Sequence, residues 1–121
     1  MTSSEPGDVL DMNVIDSLRE LGGDSDPDLL VELIDLFLAD APQHVEVIEA
    51  ALESGDAKAL EHAAHSLKSS CANIGALQMS SLCFDLEVMG REQRIEDRPE
   101  MASEIRERFS SVQAALSAIR S

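Results

Sequence analysis

The chain has 121 residues, enough for one hydrophobic core, and sets 24 acidic residues against 9 lysines plus arginines for a formal charge of −15. That excess argues against nucleic acid and against anionic membrane surfaces as partners, because both carry the same sign. Apolar residues make up 44% and aromatics only 2% (Phe37, Phe84 and Phe109, with no Trp or Tyr), which favours a helix-on-helix core over a sheet.

Residues 1–8 read as a flexible lead-in, and residues 9–121 as a single domain. Met1 to Val9 is polar and acidic, unlike a signal peptide, and no stretch approaches the ~18 apolar residues a membrane span needs. Leu10, Val14, Leu18 and Leu21 recur at helical spacing until Gly22-Gly23 stops a first short helix. Asp26-Pro27-Asp28 is a start signal: Asp26 to cap free amides, Pro27 for the first helical position, Asp28 for the positive end of the dipole. The helix it opens carries Leu30, Leu33, Phe37, Ala41, Ile48 and Leu52 on one stripe. Pro42 predicts a kink there, or a break into two helices. His44 falls on the same stripe and reads as a core-edge residue.

Gly55-Asp56 ends that element and caps the next. The third helix, about Ala57 to Ile74, buries Leu60, Ala63, Ala64, Leu67, Cys71 and Ile74. Gly75 then turns the chain into a fourth helix with Met79, Leu82, Cys83, Leu86 and Met89 inward. Arg91 to Arg98 is a charged loop, and Asp97, Pro99 and Glu100 form a capping pattern for the last helix. That helix shows Met101, Ile105, Phe109, Val112, Leu116 and Ile119 on one face. Short connections between amphipathic helices predict an all-α fold: an up-and-down four-helix bundle with a short additional N-terminal helix. Cys71 and Cys83 sit in apolar patterns, not in Cys-x-x-Cys. They read as reduced core thiols of a cytoplasmic protein rather than a disulfide framework.

The third helix carries the chemistry. With Leu67 at the centre of its buried stripe, His65 points about 160° away, into solvent. Lys58, Glu61, His62, Ser69 and Ala72 share that side, and Lys68 lies toward it. Ser69 and Ala72, at i+4 and i+7 from His65, are small enough for a bulky partner to reach the imidazole. A neutral imidazole keeps a nucleophilic lone pair near pH 7, since its unperturbed pKa is ~6.5. It can attack phosphorus in line, and Lys68 at i+3 can offset the charge of the phosphoryl group. An exposed, unactivated imidazole makes a carrier rather than an enzyme, with the magnesium ion and most transition-state stabilisation left to the partner.

Taken without its neighbours, an exposed helical histidine more often has no role; here the neighbours reverse that. Residues His65, Leu67, Lys68, Ser70, Ile74, Gly75 and Ala76 match, at the same spacing, the signature of the histidine-containing phosphotransfer (HPt) family, which this stretch resembles. The resemblance runs from about Leu29 to Gly90. It includes Phe37-Leu38 with Ala41-Pro42, Gly55-Asp56, and Leu82-Cys83 with Leu86-Glu87. It implies a phosphorelay intermediate: His65 as phosphoacceptor and Lys68 as the charge-stabilising neighbour. Response-regulator receiver domains and a (hybrid) sensor kinase are the implied partners, and no cofactor is implied. Ser69 departs from the pattern, standing where the family usually has glycine.

Ser69 and Ala72 are expected in the docking surface, with Glu61 and His62 at its rim. His62-x-x-His65 beside Glu61 would make only a weak surface chelate, and the paired Glu-x-x-His motifs of a buried di-iron site are absent, so no metal site is expected. No hydrolase arrangement and no phosphate-cradling Gly-rich loop occurs. The rival reading is an adaptor that keeps the bundle and binds a receiver or kinase without chemistry.

Overall fold

A computed structural model describes residues 9–95 and 100–120. Five helices follow one another among them: α1 (Met12–Gly22), α2 (Leu29–Ser54), α3 (Ala57–Asn73), α4 (Leu77–Arg91) and α5 (Met101–Arg120). Helix α2 packs on α3 and α5, α3 on α4, and α4 on α5, which closes a ring of four around one core; α1 packs against α2. Every inward residue expected of α4 is buried, as are Met101, Ile105, Phe109, Val112 and Leu116 of α5. Ring contact between Phe37 and Phe109, with centroids 6.4 Å apart, joins α2 to α5 across that core.

The expectations fail in two places. Leu21 is 75% exposed, and Ile15, not on the expected stripe, is fully buried instead. A helix of eleven residues needs only a narrow apolar edge. Helix α2 begins two residues later than the Asp-Pro-Asp signal predicts. A turn closed by Leu29 N–H donating to Asp26 O (3.1 Å) comes first, and the Asp28 side chain makes no capping bond. Of the two outcomes expected at Pro42, a kink or a break, the break does not occur: α2 runs unbroken from Leu29 to Ser54. Elsewhere the signals hold: Asp56 caps α3 by accepting from Ala59 N–H at 3.1 Å. Asp97 and Pro99 of the expected cap lie outside the described residues, as does the lead-in at 1–8.

Two glycines fix how the site-bearing helices meet. Gly75 sits at φ +86° in the turn between α3 and α4, where its carbonyl accepts from Asp11 N–H at 2.8 Å and ties down the start of α1. Gly90 lets α4 touch the main chain of α3: a Cβ there would lie 2.7 Å from both Ala57 O and Glu61 N. Backbone atoms cannot swing aside, so the helices would have to separate. Gly90→Ala is therefore expected to destabilise the bundle by about 1–3 kcal/mol in urea melts, despite the gain in helix propensity. An equal or higher stability would contradict the close approach.

Candidate functional site

His65 stands on the outer face of α3 with its side chain 63% exposed, as the periodicity requires. Below it, Leu67 and Ala64 are fully buried and lock the helix to the core. The ring is not free to spin. Its Nδ1 lies 3.0 Å from Oε2 of Glu87, which reaches up from α4. Glu87 is the buried charged residue among the described positions, only 4% exposed.

Three cationic or donor groups satisfy that carboxylate. Lys68 Nζ donates to Glu87 Oε1 at 2.7 Å, and Arg91 Nη2 donates to Oε2 at 2.9 Å, beside the imidazole. Arg91 Nε also reaches Glu61 Oε2 at 3.3 Å, so Glu61 is tied to the cluster through the arginine. The Lys68 hydrogen bond, opposed by burial and helped by His65, holds the Glu87 carboxyl below the usual glutamate range. An ionised carboxylate only accepts hydrogen bonds. Nδ1 is therefore the donor, and in the neutral ring Nε2 carries the lone pair.

The lysine backbone is held as well: Ser80 Oγ on α4 donates to Lys68 O at 3.0 Å. The Lys68 ammonium lies 5.4 Å from the centre of the Phe84 ring, a cation–π distance. His62, Ser69 and Ala72 are exposed along the ridge of α3 on either side of His65. All six residues expected at the site thus share one surface. His44 lies elsewhere, on α2, where Nε2 is 3.6 Å from Asp40.

Sequence reasoning missed the organising role of Glu87 and of Arg91. Glu87 occupies an inward position of α4, one turn after Cys83 and beside Leu86. A lone carboxylate on an apolar face was the available signal, because such a group needs cations of its own. Among the described residues no three His, Cys, Asp or Glu side chains are grouped to hold a metal ion. No helix among them is long and apolar enough to cross a membrane. Cys71 and Cys83 are free and buried, and their mutual hydrogen bond, with burial, pushes the Cys83 thiol far above its ordinary range.

Comparison with known proteins places this bundle, with its exposed imidazole held by a buried carboxylate, in a family. The Hpt domain family model matches residues 32–117, so the chain belongs to the Hpt domain family. Its structure superposes on the crystal structure of histidine-containing phosphotransfer protein B (HptB) from Pseudomonas aeruginosa PAO1 with a TM-score of 0.82. The two are 32% identical, over 93% of this chain and 94% of that one. Histidine-containing phosphotransfer protein 5 of Arabidopsis thaliana is 27% identical over 78 residues, 62% of this chain and 50% of the relative. The chain spans about half the length of that curated relative.

Proposed function

We propose that the chain is a phosphoryl carrier in a two-component phosphorelay. His65 is transiently phosphorylated between receiver-domain aspartates, or between a sensor kinase and a receiver. The observation that supports this most is the solvent-facing imidazole whose Nδ1 is committed to a buried carboxylate. The Nε2 lone pair attacks the phosphorus of a partner's aspartyl phosphate. The P–N bond forms as the P–O bond to the aspartate breaks, and the aspartate leaves as a carboxylate. The ring is then an imidazolium, its proton still on Nδ1 and held by Glu87. No proton need leave. In the reverse direction the same cation departs from phosphorus as a neutral imidazole, a good leaving group.

Lys68 supplies positive charge within reach of the phosphoryl oxygens, and Arg91 keeps Glu87 balanced if Lys68 turns toward them. The magnesium ion of the reaction belongs to the partner's aspartate site, so this chain acts as carrier rather than enzyme. Ser69 and Ala72 receive the partner on the ridge, with Glu61 and His62 at its edge. The same reading treats residues 9–121 as one functional unit and the cytoplasm, where thiols such as Cys71 and Cys83 stay reduced, as its compartment.

The test is transfer from purified, phosphorylated receiver domains to the protein, with an acid-labile, alkali-stable label mapping to His65. Position 69 tunes the fit. Ser69→Gly is expected to lower helix stability by about 0.5 kcal/mol and to strengthen receiver binding several-fold by clearing the ridge. Unchanged affinity and transfer rate would show that the serine hydroxymethyl group does not meet the partner.

A further inference from the structure

Phe84 is half exposed, whereas the other two phenylalanines of the chain, Phe37 and Phe109, are buried. An aromatic ring left in water forgoes much of its burial energy. This ring does not stand in an arbitrary place. The contacts from His65 Nδ1 through the Glu87 carboxylate to Lys68 Nζ, and from there to the ring centre, put it within about 13 Å of the imidazole. Any protein that brings an aspartate to His65 must cover the surface around it. A standard interface of about 800 Å² per partner is a disc roughly 16 Å in radius, and one centred on His65 includes Phe84.

We propose that Phe84 is a specificity-determining docking contact for the phosphoryl-exchange partner, a receiver-type domain, on the α4 flank of the site. This rests on the phosphocarrier reading. The ring carries the Lys68 ammonium near one side and is open to solvent on another, so a partner side chain can pack on it without breaking the Lys68–Glu87 pair. Its neighbours one turn back on α4 are Ser80 and Ser81, which leave room beside it. Half-exposed aromatic side chains of this kind are the usual anchors of interfaces, since they lose little conformational freedom on binding.

The test compares Phe84→Ser and Phe84→Tyr with the parent protein in two phosphorylation reactions. One uses phosphoramidate, a donor too small to need docking. The other uses whichever purified receiver, phosphorylated with acetyl phosphate, labels the parent most efficiently. Phe84→Ser is expected to raise KM for the receiver about ten-fold or more, with kcat and the phosphoramidate rate each within about two-fold of the parent. Phe84→Tyr keeps the parental KM. Thermal melts should show both variants cooperatively folded, with Phe84→Ser lowered only modestly because half of the ring is already exposed. An unchanged KM in Phe84→Ser overturns the proposal. So does a parallel fall in phosphoramidate labelling, which would place the effect in Lys68 and Glu87 instead of in docking. Failure of every receiver to label the parent overturns the phosphocarrier reading itself, and this one with it.

Discussion

His65→Gln is expected to fold like the parent and to accept no phosphoryl group. The imidazole is 63% exposed and its hydrogen bond is to Glu87, so little packing is lost. The glutamine amide is close in size and can itself donate to that carboxylate, which keeps the change in stability within about 1 kcal/mol. An amide nitrogen has no lone pair available to attack phosphorus, so transfer is lost outright, not slowed. Thermal melts and receiver labelling separate the two effects. A variant that unfolds would contradict the exposed position of the ring, and one that labels would remove His65 as acceptor. Receiver binding by the variant reports docking alone. Tight binding by the parent with no label on His65 would instead favour an adaptor that has kept the surface without the chemistry.

Most of the bundle was legible because its helices are long enough for periodicity to average out local exceptions. The stripe of α5, from Met101 to Leu116, is an example: five residues three or four apart, all buried. The first stripe held at Leu10, which is buried, and at Leu18, which packs against the core, but failed at Leu21. Eleven residues with a narrow apolar edge leave leucines on both sides of it, so Leu21 resembled a core residue while Ile15 was one. The start of α2 was misplaced because Asp-Pro-Asp suits a turn as well as a helix N-terminus, and the chain used it for the turn. At the site, the direction of His65 followed from helical geometry alone. The carboxylate beneath it did not, since nothing local pairs Glu87 with residues 19 and 22 positions earlier. Only the packing of α4 on α3, with Gly90 allowing the close approach, brings that carboxylate under the ring.

Removing the carboxylate is the second large change, and its two obvious replacements should differ. Glu87→Ala takes the acceptor from His65 Nδ1 and leaves Lys68 and Arg91 without their shared partner. A hydrogen bond to a charged group contributes about 1.5–3 kcal/mol, so transfer should slow by about ten- to a hundred-fold. The KM for the receiver should move much less, because Glu87 is buried beneath the docking face. Glu87→Gln keeps the shape and can still accept from Nδ1–H, which restores the reactive tautomer but not the negative charge opposite the imidazolium. Its forward rate should lie between Glu87→Ala and the parent, while its phosphorylated form outlives the parental one, since without the opposing charge the phosphorylated ring more readily loses its Nδ1 proton, and the deprotonated ring is a poor leaving group. Stability gives an independent readout. The folded-state carboxyl of Glu87 lies below its ordinary value, so its contribution is present above the unfolded glutamate pKa of ~4.3 and is lost as the pH falls through the folded value. The gap in stability between the parent and Glu87→Gln should therefore be widest near neutrality and shrink in acid. A gap that stays constant down to pH 3 would mean that packing alone, not the ionised carboxylate, accounts for it. Parental transfer rates in Glu87→Ala would likewise leave Glu87 a purely structural role.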